Sequence, residues 1–133
     1  MDEIWHRRDV AVARIDRAWY AALVHATILA VLASAIVTTQ ESWSVSDTVS
    51  AIYVALLVVL AIGTAKRNRV AAILLLVLTI WIEGSAWWNS HSLLSLLFLV
   101  SFGGCYAFGV RGVLEWHRVE RDRPMATAAA TVR

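Results

Sequence analysis

The chain has 133 residues and a formal net charge of +2; 59% of its residues are hydrophobic and 17% are charged. Ordinary soluble domains have roughly half and a quarter respectively, and this length leaves room for one domain. Four apolar stretches account for the excess and occupy more than half of the chain, which excludes a separate soluble catalytic domain.

All 12 Lys and Arg residues lie in three segments that alternate with the apolar stretches. They are Arg7, Arg8, Arg14 and Arg17; Lys66, Arg67 and Arg69; and Arg111, Arg118, Arg121, Arg123 and Arg133. Cationic residues are retained on the cytoplasmic side of a membrane. This distribution therefore predicts an all-α, four-transmembrane-helix bundle with a cytoplasmic N-terminus and a cytoplasmic C-terminus. The expected location is the cell (cytoplasmic or inner) membrane.

Residues 1–17 are predicted to form a cytoplasmic amphipathic segment. Trp5, Val12 and Trp19 recur every seven residues and give a helix with one apolar face. This face could lie along the lipid interface or pack against the protein's own bundle.

Four apolar spans follow, and each is long enough to cross a hydrocarbon core of ~30 Å. Their predicted bounds are about 18–38, 48–65, 70–88 and 93–111. Several tryptophans fall near the predicted interfaces, which is usual for membrane anchoring. They are Trp5, Trp19, Trp43, Trp88 and Trp116.

The first span carries small residues at every fourth position, and the fourth span has a matching stripe. Small side chains let helix backbones approach closely, and in lipid this packing drives association. We therefore expect a tight contact between these two spans. The residues are Ala22, Ala26, Ala30 and Ser34 in the first span, and Ser101, Cys105 and Gly109 in the fourth.

The N-terminal region also resembles a signal peptide, since arginines and an apolar run precede the small residues Ala33, Ser34 and Ala35. However, the apolar run continues past this site through Val37, and the region before it is long and contains four acidic residues. We therefore favour an uncleaved anchor over cleavage.

The connections between spans are short. Ser44 and Asp47 fit a capping box for the second helix, and residues 66–69 and 89–92 form tight turns between antiparallel neighbours. The fourth helix is expected to continue past the membrane to about residue 123, where Pro124 ends it. This places the four-span membrane domain at 18–123 and a flexible tail at 124–133.

Glu83 is the one acidic residue inside a predicted span. A carboxylate costs something like 2.5–3.5 kcal/mol at mid-membrane, so function is the default hypothesis for it. Thr79, Glu83 and Trp87 are four residues apart on one helix face, which continues to His91 at the outer rim. No Lys or Arg is expected on the outer half, so His91 is the only titratable cation expected within reach.

Two interpretations of Glu83 remain open. In the first, the low dielectric keeps the carboxylic acid protonated and hydrogen-bonded to a Ser or Thr of a neighbouring helix, which is a structural role. In the second, Glu83, Trp87, Thr79 and His91 form a candidate cation or substrate site, because a carboxylate beside tryptophan faces attracts cations.

His25 is expected on the inner half of the first span, hydrogen-bonded within the bundle. No second histidine is expected at its depth, and no Cys/His spacing is typical of a metal site. We therefore predict no cofactor and no metal.

No enzyme motif occurs, since H-E-x-x-H, G-x-S-x-G, C-x-x-C and a phosphate-binding glycine loop are all absent from the sequence. We predict that the protein is not an enzyme but an accessory or structural subunit of a membrane assembly. The alternative is a small homo-oligomeric transporter or channel for protons, small cations or organic cations that uses Glu83. A holin-like permeabiliser is a minor alternative.

Small multidrug transporters are similar in size, in helix number and in using a membrane glutamate. Their glutamate lies in the first span, where this chain has His25 and no acid.

The expected partners are the lipid bilayer and either further copies of the chain or a larger membrane complex, with no nucleic acid.

Overall fold

The computed structural model describes residues 2–39 and 44–131, with side chains described for residues 3–39 and 44–122. This part of the chain consists of four α-helices: α1 (Asp2–Thr39), α2 (Val45–Ala65), α3 (Arg69–Ser90) and α4 (Leu93–Thr131). All four helices are long and apolar enough to cross a membrane. The all-helical class and the four candidate spans are therefore confirmed.

Local hydrogen bonds define where α2 and α3 begin. The Asp47 amide donates to Ser44 Oγ (3.3 Å) and the Ser44 amide donates to Asp47 Oδ2 (2.7 Å), so the predicted capping box is confirmed. At α3, Asn68 Oδ1 accepts hydrogen bonds from the Val70 and Ala71 amides. These caps satisfy amides that lack partners within the helix. Trp43 lies outside the described residues.

The turns before α3 and after α3 each use one residue in the left-handed region, Arg67 (φ 62°) and His91 (φ 49°). With such short connections, consecutive helices must be antiparallel neighbours. The helices form a ring in which α1 contacts α2 and α4, and α3 contacts the same two helices. Helices α1 and α3 therefore run in parallel across the diagonal of the bundle.

The first and last helices in the chain are much longer than the two between them. Helices α1 and α4 extend for roughly 57 Å, and α2 and α3 for roughly 32 Å, at 1.5 Å per residue. Their extra length lies at one end of the bundle, together with the 66–68 turn. We call this the basic end, because it holds every Lys and Arg whose side chain the structure describes. The 91–92 turn lies at the opposite end.

The amphipathic segment predicted over residues 1–17 is not a separate element. It is the first part of α1, and it packs against the last part of α4: Ala11 and Ile15 are buried with Val113 and Trp116. Trp116 is only 7% exposed, so it belongs to the core rather than to a lipid-facing belt. The apolar face is thus covered by the protein's own bundle from Ala11 onward, whereas Trp5 is 45% exposed.

Helix α4 continues to Thr131 instead of ending at about residue 123. Proline removes one backbone donor and kinks a helix, but the following residues are rich in Ala, the best helix former. The expected flexible tail at 124–133 is therefore helical as far as Thr131.

The contact between α1 and α4 is closest near the basic end. A Cβ on Gly109 would collide with Ala18 Cβ, and one on Gly112 would lie 2.9 Å from the Ala11 carbonyl oxygen. Of the predicted packing residues, Ala22 and Ala26 are buried and Cys105 packs against the core.

The opposite half of both predicted stripes is not packed in this way. Ala30 is half-buried, whereas Ser34 and Ser101 are exposed. The Ser34 hydroxyl donates to the Ala30 carbonyl (2.7 Å), so its polar group is satisfied within its own helix and needs no neighbour.

Candidate functional site: a polar cluster inside the bundle

Glu83 and Thr79 occupy the inward face of α3, as their spacing predicts. Their exposed fractions are 5% and 0%. Glu83 lies about 21 Å along the helix from Arg69 and about 10 Å from Ser90, at 1.5 Å per residue. The carboxyl group is therefore inside a candidate membrane span.

His25 of α1 is an ionisable partner that Glu83 was not expected to have. It is fully buried, and its Nε2 atom lies 3.5 Å from Glu83 Oε1. The expectation that His91 alone is within reach is therefore wrong. The contact crosses the diagonal of the bundle from α1 to α3.

The error concerns depth. The first span was expected to begin at about residue 18, but Ala11 belongs to the same buried cluster as Ala72, near the start of α3. His25 is roughly 21 Å further along α1 than Ala11, and Glu83 is roughly 17 Å further along α3 than Ala72. The two side chains therefore lie at similar heights.

The other two helices each contribute a tyrosine. The Tyr53 hydroxyl of α2 donates to Glu83 Oε1 at 3.5 Å, and the Tyr106 hydroxyl of α4 lies 3.0 Å from His25 Nδ1. The Thr79 hydroxyl lies beside Tyr53. We call these five residues the central cluster: His25, Tyr53, Thr79, Glu83 and Tyr106.

Aromatic rings hold the imidazole of His25 in place. Its ring stacks on Phe102, with centroids 4.2 Å apart and an interplanar angle of 4°. Phe98 and Tyr53 meet it edge-on, at 5.3 and 6.1 Å. These three rings therefore enclose the imidazole.

The cluster is only loosely hydrogen-bonded. The distance of 3.5 Å from His25 Nε2 to Glu83 Oε1 exceeds a normal hydrogen bond. His25 Nε2 and Thr79 Oγ1 are both buried without a hydrogen bond of standard geometry to any described residue. An unsatisfied buried polar atom lowers stability by roughly 1–3 kcal/mol. A cluster with only a structural role would therefore be expected to have better hydrogen bonds.

The histidine and the carboxylate can share a single proton. With one proton between them the pair is neutral; its loss leaves a negative charge, and a second proton leaves a positive charge. Low dielectric penalises both charged states. His25 Nδ1 can accept from the Tyr106 hydroxyl or donate to it, so the tautomer can follow the proton.

Trp87 and His91 form a separate group. Trp87 is half-buried, and its ring contacts Trp88 (6.5 Å) and His91 (6.0 Å). His91 is exposed at the end of α3. The predicted site of four residues is thus divided between Thr79 and Glu83 in the central cluster and Trp87 and His91 at the opposite end.

Three partners of Glu83 were not predicted from the sequence: His25, Tyr53 and Tyr106. A usable signal was present, because ionisable residues inside membrane helices pair with one another. As for metals, the cluster offers only His25 and Glu83 as strong ligands. The described residues contain no group of three His, Cys, Asp or Glu side chains that could hold an ion.

Comparison with protein-family models, with curated proteins and with solved structures finds no match. The fold defines the class: an all-helical protein whose four candidate spans indicate a multi-pass membrane protein. Any functional assignment within this class depends on the chemistry of the central cluster.

Proposed function

We propose that the protein passes protons across a membrane, and that His25 and Glu83 bind the proton in transit. The observation that carries this proposal is the 3.5 Å contact between His25 Nε2 and Glu83 Oε1 inside the bundle. Ionisable residues in membrane helices are rare and costly, and chains of Asp, Glu and His are the usual proton relays.

The composition of the cluster supports a proton rather than a larger cation. His25 is enclosed by Phe102, Phe98 and Tyr53, and Glu83 is 5% exposed. The two tyrosine hydroxyls extend the hydrogen-bonding groups to α2 and α4. Protons, small cations and organic cations were the predicted substrates of a transporter, and of these the proton alone can bind without a cavity.

A groove between α1 and α2 supports access from the opposite end. It has a volume of ≈ 460 Å³ and its lining includes Asp47, Ser34 and Thr38. Its lining also reaches Ala30, about 7 Å along α1 from His25, and Val54, which is next to Tyr53. The groove thus brings polar side chains from the opposite end as far as Ser34, roughly 13 Å along α1 from His25.

The charge distribution supports an orientation. Cations are retained on the cytoplasmic side, so we place the basic end and both termini in the cytoplasm and the groove on the outer side of the cell membrane. A reporter that fluoresces only in the cytoplasm, fused in turn to each terminus, tests this orientation.

Proton flux into vesicles tests the function. The full chain is reconstituted with a pH-sensitive dye inside, and a potassium gradient with valinomycin imposes a membrane potential. We expect acidification for the wild type and the rate of protein-free vesicles for Glu83→Gln, which keeps the shape but cannot ionise. His25→Gln should likewise reduce the flux, because it removes the other proposed proton-binding group. His91→Gln is its matched control, because it removes an imidazole outside the cluster.

Wild-type flux equal to that of empty vesicles, with helical protein present at the expected amount, contradicts the proposal. Unchanged flux in Glu83→Gln contradicts the assigned site.

A second function, the accessory or structural subunit predicted from the sequence, is favoured by one feature of the same groove. Its lining includes Ala30, Ala33, Ala51 and Ala55, and small residues are what a neighbouring membrane helix packs against. A subunit of this kind would co-purify with a larger partner at fixed stoichiometry after gentle detergent extraction. Recovery of the chain alone, or only as copies of itself, would count against it.

A further inference from the structure

A second groove lies between α1 and α4 at the basic end, with a volume of ≈ 290 Å³. Val10 and Val119 supply its apolar part, while His6, Arg7 and Arg118 contribute nitrogen donors. It is far from the central cluster and takes no part in the proposed proton path.

The carboxylate in this groove is already neutralised. Glu115 forms an ion pair with Arg14 and a second contact with Arg111 (Nε to Oε1 3.6 Å). Arg118 forms no ion pair with a described residue. Among the described residues, Arg7 forms an ion pair only with Glu3, on the exposed surface, and such a pair contributes little to stability in water. The groove therefore offers two guanidinium groups to an anion.

The 66–68 turn fixes the height of this groove. The Arg67 guanidinium lies 3.6 Å from the centre of the Trp116 ring, and the Arg8 guanidinium lies 5.0 Å from it. Helices α2 and α3 are apolar up to this turn, so the turn marks the edge of the hydrocarbon. Arg7 is next to Arg8 in the chain, and Arg118 is two residues after Trp116. Both are therefore at headgroup height.

We propose that this groove binds the phosphate of an anionic phospholipid headgroup through Arg7 and Arg118. The planar guanidinium fork matches the geometry of phosphate oxygens, and cations near a membrane surface attract anionic lipids. The valines suit the glycerol and the first carbons of a lipid, which a free phosphate lacks. This difference favours the lipid over a soluble anion.

Lipid retention tests the proposal. The full chain is exchanged into nanodiscs of equal phosphatidylglycerol and phosphatidylcholine, extracted into mild detergent at ~0.15 M salt, and analysed for bound lipid by native mass spectrometry. We expect retained phosphatidylglycerol on the wild type. Arg118→Gln and Arg7→Gln should each lower retention roughly ten-fold, because each removes a hydrogen bond to a charged group.

Arg121→Gln is the matched control, since it removes the same charge from the same helix at a position that is as exposed as Arg118 but does not line the groove. We expect less than a roughly two-fold effect there, because a charge that does not contact the phosphate acts only through long-range attraction, which this salt screens. Equal losses in Arg118→Gln and Arg121→Gln would overturn the site in favour of diffuse attraction.

Equal retention of the two lipids would overturn the proposal as well. A third arm adds inorganic phosphate to lipid-free protein. Binding of phosphate there without selective lipid retention would overturn the lipid assignment and leave a site for a soluble anion. Circular dichroism of each variant verifies that the helices are intact.

Discussion

The central cluster and the basic end use similar side chains in opposite ways. At the basic end, contacts are close: Arg14 pairs with Glu115, Arg67 lies 3.6 Å above Trp116, and the His117 ring nitrogen Nε2 lies 3.0 Å from the Arg67 carbonyl oxygen. In the central cluster, Glu83 receives two contacts of 3.5 Å, and one nitrogen of His25 has no standard hydrogen bond to a described residue.

The two regions are expected to contribute differently to stability. The basic end closes the bundle with the buried Trp116 indole and pairs Glu115 with Arg14, so it is suited to hold one arrangement. Half-satisfied polar groups in low dielectric are costly, and ionisable residues inside membrane helices are the usual proton relays. Under the proposed function, the central cluster changes its protonation state. Substitutions at the basic end should mainly lower the stability of the bundle, and substitutions in the central cluster should mainly lower the proton flux.

The largest loss of stability is expected at the basic end. Trp116→Ala removes a buried ring that packs against Ala11, Ile15 and Val113 and should lower the free energy of unfolding by roughly 3–5 kcal/mol. Trp81→Ala is the matched control, because Trp81 is 76% exposed. Thermal unfolding in detergent measures both. Equal melting temperatures for the two variants would contradict the prediction that the basic end stabilises the bundle.

The second prediction concerns the contact between α1 and α4. Gly109→Ala forces a methyl group into Ala18 and should destabilise the bundle by roughly 1–3 kcal/mol through overpacking. Gly84→Ala places the same methyl group where nothing lies within 4 Å. That variant should gain roughly 0.5–1 kcal/mol from better helix propensity. Chemical denaturation of both variants should therefore give opposite signs, and shifts of the same sign would contradict the packing.

The third prediction moves to the central cluster. Tyr106→Phe removes the hydroxyl that lies 3.0 Å from His25 Nδ1, at a cost of about 1 kcal/mol in stability. The proton flux should fall as well, because the His25 tautomer loses its partner. Tyr20→Phe is the control, since Tyr20 is 58% exposed. A normal flux in Tyr106→Phe would exclude Tyr106 from the proton path.

Sequence reasoning reached the elements of the fold more securely than their relative heights. Hydropathy, charge and the Ser44–Asp47 cap identified the four helices, because each of these signals is local. Glu83 was identified by the cost of its insertion, and Thr79 by its spacing. His25 was missed because the height of α1 relative to α3 depends on how both helices pack against α2 and α4, which no local pattern encodes.

Trp116 illustrates the same limit. An amphipathic ring at a predicted membrane boundary has the same sequence pattern whether it faces lipid or the core. Its burial depends on three elements that meet at one place: the start of α1, the 66–68 turn and the extension of α4. Tyr53 and Tyr106 are similar cases, since a tyrosine in an apolar span is unremarkable until its hydroxyl finds a partner.

The smallest effect on stability is expected where the largest effect on function is expected. Glu83→Gln keeps the volume of the side chain and an oxygen that can accept from Tyr53, while it removes the buried ionisable group. Its unfolding free energy should therefore change by less than about 1 kcal/mol, because the lost contact with His25 was longer than a hydrogen bond. Thermal unfolding beside flux on the same preparation measures both quantities. If Glu83→Gln instead unfolds like Trp116→Ala, the histidine–glutamate pair is holding the bundle together, and the distinction between the two regions fails.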